Sequence, residues 1–265
     1  MMIGKRGAAT TAISAGRADA ISIRGASLTQ DLMGHVSFTQ FFYFLATGRQ
    51  PTEAQSLFLD MSLVGLAEHG LTPSVQAARM TYAADPAALQ GAVAAGILGC
   101  GTVILGAAGL CRGLIDEVLA GQAEGATVAE AALAVAHACR AAKKAIPGYG
   151  HPLHKPLDPR AHRMIGLAEE MGVAGRAVAA AKALTGAIAQ AWGKPLPMNI
   201  SMSIAATLYD LDVPASVIRG VPILARTAGL IAHLGEEAET PIGFLLAATA
   251  EDAIDHSAPF PETKA

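Results

Sequence analysis

Ile146-Pro147-Gly148-Tyr149-Gly150-His151-Pro152, running on through Lys155 to Asp158-Pro159-Arg160, is the stretch on which the fold turns. Its prolines and glycines break any helix, because proline lacks an N–H and glycine loosens helical order. What remains is a shaped loop that carries a histidine and is followed by an arginine. Lys143 and Lys144 stand just before it and Lys155 lies inside it. An imidazole among fixed cations on a stiff loop suits an anionic ligand. The plainer alternative is a helix-to-helix connection with a surface histidine; the density of special residues favours the ligand.

Moving upstream, Thr127 and Glu130 have capping-box spacing, and the run to Lys144 reads as an amphipathic helix with Val128, Ala132, Val135 and Cys139 on one face. Arg140, Lys143 and Lys144 make its last turn positive, which a solvated helix end explains as well as a ligand does. Residues 75–120 read as glycine-punctuated helices. The apolar run Gly91–Leu110 is long enough to raise a membrane question. Its six glycines and missing flanking anchors argue for a buried helix or helix pair instead. Pro51-Thr52-Glu53 starts a helix through about Leu66, followed by Glu68-His69-Gly70. Taken alone, His69 reads as a charge complement to a helix C-terminus. Leu28 and Leu32, then Phe38, Phe41, Phe42 and Leu45, recur at helical spacing up to Gly48, and Ile21 and Ile23 alternate in an extended arm or hairpin.

Downstream of the loop, 161–171 and 178–192 read as helices. Lys194-Pro195-Leu196-Pro197 is a break, and Asn199 caps a helix to Tyr209. A turn at Leu211–Pro214 leads into 215–220, and a further segment, 221–234, carries Arg226 and His233. A short helix follows Thr240. Asp210 and Asp212 lie about three turns beyond Ser201, so a shared pocket is not implied.

The bulk properties bound the function. The chain is 52% hydrophobic and only 15% charged, which describes close-packed helices with part of the surface hidden in an oligomer. A net charge of −3 argues against nucleic acid as a partner. Cys100, Cys111 and Cys139 form neither a metal spacing nor an even disulfide set, which fits a reduced, cytoplasmic compartment. The N-terminus has no signal pattern, and no membrane partner is expected. There is no phosphate-binding glycine loop, dinucleotide fingerprint, HExxH or nucleophile elbow, and no metal is expected. Periodicity by itself ends at an all-helical protein with a basic, histidine-bearing loop.

The loop resembles the signature of the citrate synthase superfamily, closest to small proteins of citryl-CoA lyase type. Further ordered matches support the resemblance: Arg24-Gly25 with Leu28 and Leu32, Gly48-Arg49-Gln50-Pro51, Ala67-Glu68-His69-Gly70 with Ser74 and Ala78-Arg79, and Arg226-Thr227-Ala228-Gly229 with Ile231-Ala232-His233. The resemblance implies an all-α fold in which a large domain (1–105 and 221–265) and a small domain (106–220) close on a cleft. It implies a homodimer or higher homo-oligomer. It also implies cleavage or formation of a carbon–carbon bond in a hydroxyacyl-CoA thioester, giving acetyl-CoA and an oxo acid, with the coenzyme A ester as substrate. His69 would hydrogen-bond an oxaloacetate-like group, and His151 would polarise the carbonyl and stabilise its alkoxide. Arg160 and Arg226 would clamp carboxylates. Lys144 and Lys155 would meet CoA phosphates, and the backbone of Gly148, Tyr149 and Gly150 would face adenine and pantetheine. His233 matches a structural position.

Three departures qualify this expectation. Gly101–Ala108 stands where the family carries a histidine that stabilises the acetyl-CoA enol. In Asn199-Ile200-Ser201, serine replaces the aspartate that removes the methyl proton. Thr240-Pro241-Ile242-Gly243 replaces a segment with a second arginine. Enolisation needs a base and a donor, and losing each would cost on the order of 10²–10⁴-fold in rate. Cleavage of citryl-CoA or a related 3-hydroxyacyl-CoA fits these departures better than ordinary citrate synthesis. Its base would be His151 or His69, with Ser201 or a backbone N–H steadying the enolate. A same-fold enzyme on another CoA ester or carbonyl substrate, or a non-catalytic CoA- or carboxylate-binding paralogue, is the alternative.

Overall fold

The computed structural model describes residues 9–143 and 145–258, with side chains left undescribed at 102–103. The fold is all-α. The elements, in order, are strands β1 (Ser14–Gly16), β2 (Ile21–Ile23) and β3 (Ala26–Ser27), one π-helical turn (Leu28–Leu32), and helices α1 (Phe38–Thr47), α2 (Glu53–Ala67), α3 (Pro73–Ala84), α4 (Leu89–Leu105), α5 (Ala107–Ala123), α6 (Val128–Ala141), α7 (Pro159–Glu170), α8 (Arg176–Trp192), α9 (Ile200–Asp210), α10 (Ala215–Glu239) and α11 (Gly243–Asp252). The strands form a small antiparallel sheet in the order β1-β2-β3. The extended arm expected around Ile21 and Ile23 is the middle of this sheet.

Helix starts follow side-chain chemistry. Ser37, Thr52 and Thr127 each close a reciprocal capping box with a residue three positions on, so α1, α2 and α6 begin where their sequences say. Asp210 holds the start of α8 by accepting from the backbone N–H groups of Gly175, Ala177 and Val178 at 2.7–2.9 Å. Both carboxylate oxygens of Asp210 are thereby committed to backbone donors.

Four expectations are corrected. The Leu28–Leu32 segment is a π turn, because Ser27 caps it through the Gln30 N–H and the chain turns out again at Met33. The helix expected to reach Lys144 ends at Ala141, where Ala142 and a left-handed Lys143 turn the chain. The break expected between 220 and 221 is absent. Pro222 lies inside one continuous helix, α10, where it removes one backbone hydrogen bond while Ile218, Val221 and Pro222 are buried. The apolar run 91–110 is a helix pair, α4 and α5, kinked at Gly101 (φ 57°, ψ −172°), but it is only partly buried: Leu98 is 82% exposed and Leu110 50%.

Helix α9 is the centre of the molecule, with Ile200 and every residue from Met202 to Leu208 buried. An all-round apolar helix is a core helix. On one side Met202, Ala205 and Ala206 join a cluster with α5, α6 and α8; on the other Ile200, Ile204 and Leu208 join one with α1, α2, α7 and α10. By length and composition α10 is apolar enough to cross a membrane. In this fold it packs on α2, α3, α4 and α9. The N-terminus of α9 and the middle of α10 therefore meet near the end of α2, and the functional residues gather there.

Candidate active site

The central loop is tied to the start of α9 by backbone groups. Asn199 N–H donates to the Gly148 carbonyl (2.9 Å), Gly150 N–H to the Pro197 carbonyl (2.7 Å), and the Asn199 amide to the Gly150 carbonyl (3.1 Å). Gly148 has φ +83° and is seated so closely that a Cβ would meet Cys111 Sγ at 2.6 Å and Met202 Cβ at 2.7 Å. Only glycine fits there. Tyr149 turns into the core, and its hydroxyl donates to the Ala181 carbonyl at 2.6 Å. Burial pushes its pKa upward, so it stays neutral. The loop glycines thus fix the loop itself. Lys155 is exposed, and Lys144 lies outside the described residues.

Asp158 is the second anchor. It is fully buried, caps α7 through Arg160 N–H (3.0 Å), and accepts from Ile200 N–H at the start of α9 (3.1 Å). Burial alone would raise its carboxyl. The Arg160 hydrogen bonds outweigh that and hold it below the ordinary carboxylate range. Arg160 lies across it, Nε to Oδ1 at 3.1 Å and one terminal nitrogen to Oδ2 at 2.9 Å, while its other terminal nitrogen donates to the Gly65 carbonyl at 3.3 Å. Three of the five guanidinium N–H donors are therefore used inside the protein. Arg160 enters the site already aimed.

His69 arrives from the end of α2. Glu68 accepts the backbone N–H groups of His69 (2.8 Å) and Gly70 with one oxygen, and its other oxygen lies 2.8 Å from His233 Nε2. Burial would raise Glu68, but the His233 hydrogen bond and the Gly70 N–H hold it down. His233 Nδ1 faces Arg79 at 3.3 Å, and Arg79 is buried in ion pairs with Glu237 (2.6 Å) and Glu236 (2.7 Å). The structural reading of His233 is thus given a mechanism: it braces the turn that presents His69. Gly229 makes this possible, because a Cβ there would collide with the Ala67 carbonyl.

The two histidines meet. His69 and His151 stand edge to face, 5.2 Å between ring centroids at 72°. A third imidazole, His154, was not expected; it stacks on His151 at 4.3 Å and lies 5.8 Å from His69. The i, i+3 spacing of His151 and His154 is the sequence signal that would have found it. His151 Nδ1 accepts the backbone N–H groups of Leu153 (3.1 Å) and His154 (3.0 Å). Its neutral ring therefore carries its proton on Nε2, and the Arg160 terminal nitrogen 3.5 Å away, itself only a donor, is a close neighbour there and not a hydrogen-bond partner. His151 is built to donate. With Nδ1 accepting two backbone N–H groups, the neutral ring has no free lone pair in this arrangement.

Arg226 completes the cluster. It is 6% exposed, its charge is felt at His69, and its Nε and Nη1 have no hydrogen-bond partner among the described residues. A buried guanidinium with orphan donors is costly unless an anion meets it. One nitrogen from each of the three histidines lies within 4.8 Å of the others, a spacing that would suit a metal ion. The donor chemistry does not fit a cation. His151 has its lone pair turned to the backbone, and Arg160 and Arg226 set positive charge around the rings. The charges around the rings favour an anion over a cation. Ser201 lies in the first turn of α9, its N–H on the Asn199 side chain at 3.0 Å, and its hydroxyl has no hydrogen bond among the described residues.

Burial, then the neighbouring cations and imidazoles, lower the pKa of both His69 and His151. The unfolded chain therefore takes up protons first, so their contribution to stability is complete above 6.5 and is lost as pH falls through the folded values. Calorimetry of the ligand-free protein is expected to show the melting temperature falling below pH 6.5. The doubly substituted His69→Asn, His151→Asn protein should show a flatter profile in that window. Glu68 and Asp158 act only at lower pH, because their folded values lie beneath 4.5 and 3.8.

Comparison with known proteins places the chain in a family. Residues 8–243 match the family model described as citrate synthase, C-terminal domain. The chain is 28% identical over 209 residues to the citrate synthase of Heyndrickxia coagulans, covering 77% of this chain and 53% of that one, so it spans about half the length of the curated relatives it matches. The solved citryl-CoA lyase of Hydrogenobacter thermophilus superposes with a TM-score of 0.82 at 30% identity, over 97% of this chain and 98% of that one. The ATP citrate lyase of Methanothrix soehngenii, solved with citrate and coenzyme A, superposes at 0.74 and 20% identity, covering 97% of this chain and 43% of that one, which is a likeness of fold.

Proposed function

The chain belongs to the citrate synthase family, and from that premise we propose that it cleaves a carbon–carbon bond in a citryl-CoA-type 3-hydroxyacyl thioester, giving acetyl-CoA and an oxo acid. The observation that carries this reading is the buried Arg226, whose Nε and Nη1 have no partner among the described residues, beside two neutral imidazoles and a pre-aimed Arg160. That set matches a carboxylate next to a carbonyl oxygen that gains negative charge. The likeness over nearly the full length of a citryl-CoA lyase supports the same choice.

In this reading Arg226 binds a substrate carboxylate with its orphan N–H groups, and Arg160 offers its two remaining donors to a second. His151 donates Nε2–H to the substrate oxygen and His69 orients the same group. Gly150, whose Cβ position is nearly open, and the backbone beside it border the thioester arm. Lys144 and Lys155 meet the CoA phosphates. The division into 1–105 with 221–265 and 106–220 belongs to the proposal, supported by a core cluster drawn wholly from residues 111–206. A homodimer does as well, supported by exposed Leu98, Ile223, Phe244 and Leu245. A cytoplasmic setting rests on the cysteine pattern alone.

Serine at 201 and the absence of histidine from 101–108 favour a second reading, in which the same fold acts on another CoA ester or only binds one. Incubation with citryl-CoA decides. The lyase releases acetyl-CoA and oxaloacetate in equal amounts; binding of the ester without acetyl-CoA release would support the second reading.

A further inference from the structure

His154 has no role in the reaction as derived so far, yet it shares the site. Its ring lies against His151 and within reach of His69, which comes from a different element, so the three imidazoles bridge the loop and the end of α2. Its backbone N–H fixes His151 Nδ1 at 3.0 Å, which sets both rings together. Neither nitrogen of the His154 ring has a hydrogen-bond partner among the described residues. Its neutral ring therefore keeps one free lone pair, which His151 does not. Burial, then the charges of Arg160, His154 and Arg226, disfavour protonation of His69, a setting for orienting an oxygen rather than for receiving a proton. The Ser201 hydroxyl is a weak base with no hydrogen-bond partner among the described residues to activate it.

Resting on the lyase reading above, we propose that His154 is the catalytic proton-transfer group of this site. A lone pair on its ring takes the proton of the substrate hydroxyl. The O–H electron pair becomes the second bond of the new carbonyl, and the pair of the breaking carbon–carbon bond passes to the carbon next to the thioester, forming its enolate. The imidazolium then returns that proton to the same carbon. The products are acetyl-CoA and the oxo acid, with His154 neutral again. One group thus performs both proton transfers, and neither the aspartate nor the second histidine missing from the chain is required for them.

The test uses citryl-CoA with the full-length protein and His154→Phe, which keeps a flat ring stacked on His151 but has no lone pair. His154→Gln serves as a second variant should the first fail to fold, judged by thermal unfolding. The expected result is a fall in kcat on the order of 10²-fold in both, with KM for citryl-CoA changed only a few-fold. Phenylalanine supporting turnover near the unsubstituted rate would show that the ring only stacks, and would overturn the proposal. A raised KM at unchanged kcat would make it a binding group and overturn it too. If the unsubstituted protein releases no acetyl-CoA, the lyase reading fails and this inference with it; if it does and the variants match it, only the role of His154 is lost.

Discussion

Replacing Arg226 with methionine is expected to raise the melting temperature of the ligand-free protein while lowering kcat/KM for citryl-CoA by about 10²–10³-fold. The two effects have one cause. In the free protein the Arg226 guanidinium is buried with Nε and Nη1 unpartnered, a standing desolvation cost. Methionine fills a similar volume without a charge, and exchange of a buried ion for an apolar group is often neutral or stabilising. In the complex the same N–H groups meet a carboxylate, and removing one side of such a buried pair costs about 2–5 kcal/mol. At about 1.4 kcal/mol per tenfold, the middle of that range, about 2.8–4.2 kcal/mol, gives the stated loss. A structural arginine would behave in the opposite way, losing stability on substitution. Arg79, whose charge is fully paired with Glu236 and Glu237, is the internal contrast: Arg79→Met should destabilise the fold.

The second large effect is expected at His151. His151→Ala should lower kcat by about 10²–10³-fold, the usual loss when one donor to a developing oxyanion is removed. Binding of the CoA ester should be nearly unchanged, because the contact strengthens only as charge builds on the oxygen. The loop as a whole should survive, since Asn199, Pro197 and Asp158 anchor it, although the backbone N–H groups of Leu153 and His154 lose their acceptor. Steady-state kinetics with citryl-CoA beside a direct titration of CoA ester binding separates the two quantities.

Much of this arrangement is legible in the sequence, and what is not has physical reasons. Capping boxes are local, so Thr52 and Thr127 announce α2 and α6 correctly. The split into 215–220 and 221–234 fails because helix continuity across Pro222 goes with tertiary burial of Ile218 and Val221, which no local rule records. His69 alone reads as a helix-end charge, and only the motif around it points to a site. Its true setting rests on Gly229, 160 positions away in the chain, whose missing side chain lets α10 approach the end of α2. The roles of the loop glycines shift for a similar reason. Their backbone groups are engaged with the start of α9, an interaction across the fold rather than along the chain. His154 stands three positions after His151, a spacing that is legible in the sequence but gains its meaning only from the ring contacts.

The central claim is that the neutral His151 ring holds its proton on Nε2 and presents it to a substrate oxygen. Nitrogen-15 NMR of the histidine rings, with and without oxaloacetate, measures this directly. At neutral pH, His151 should show an unprotonated Nδ1 and a protonated Nε2, and the Nε2–H resonance should move downfield when oxaloacetate binds. A proton found on Nδ1, or an Nε2–H resonance indifferent to the ligand, would contradict the account.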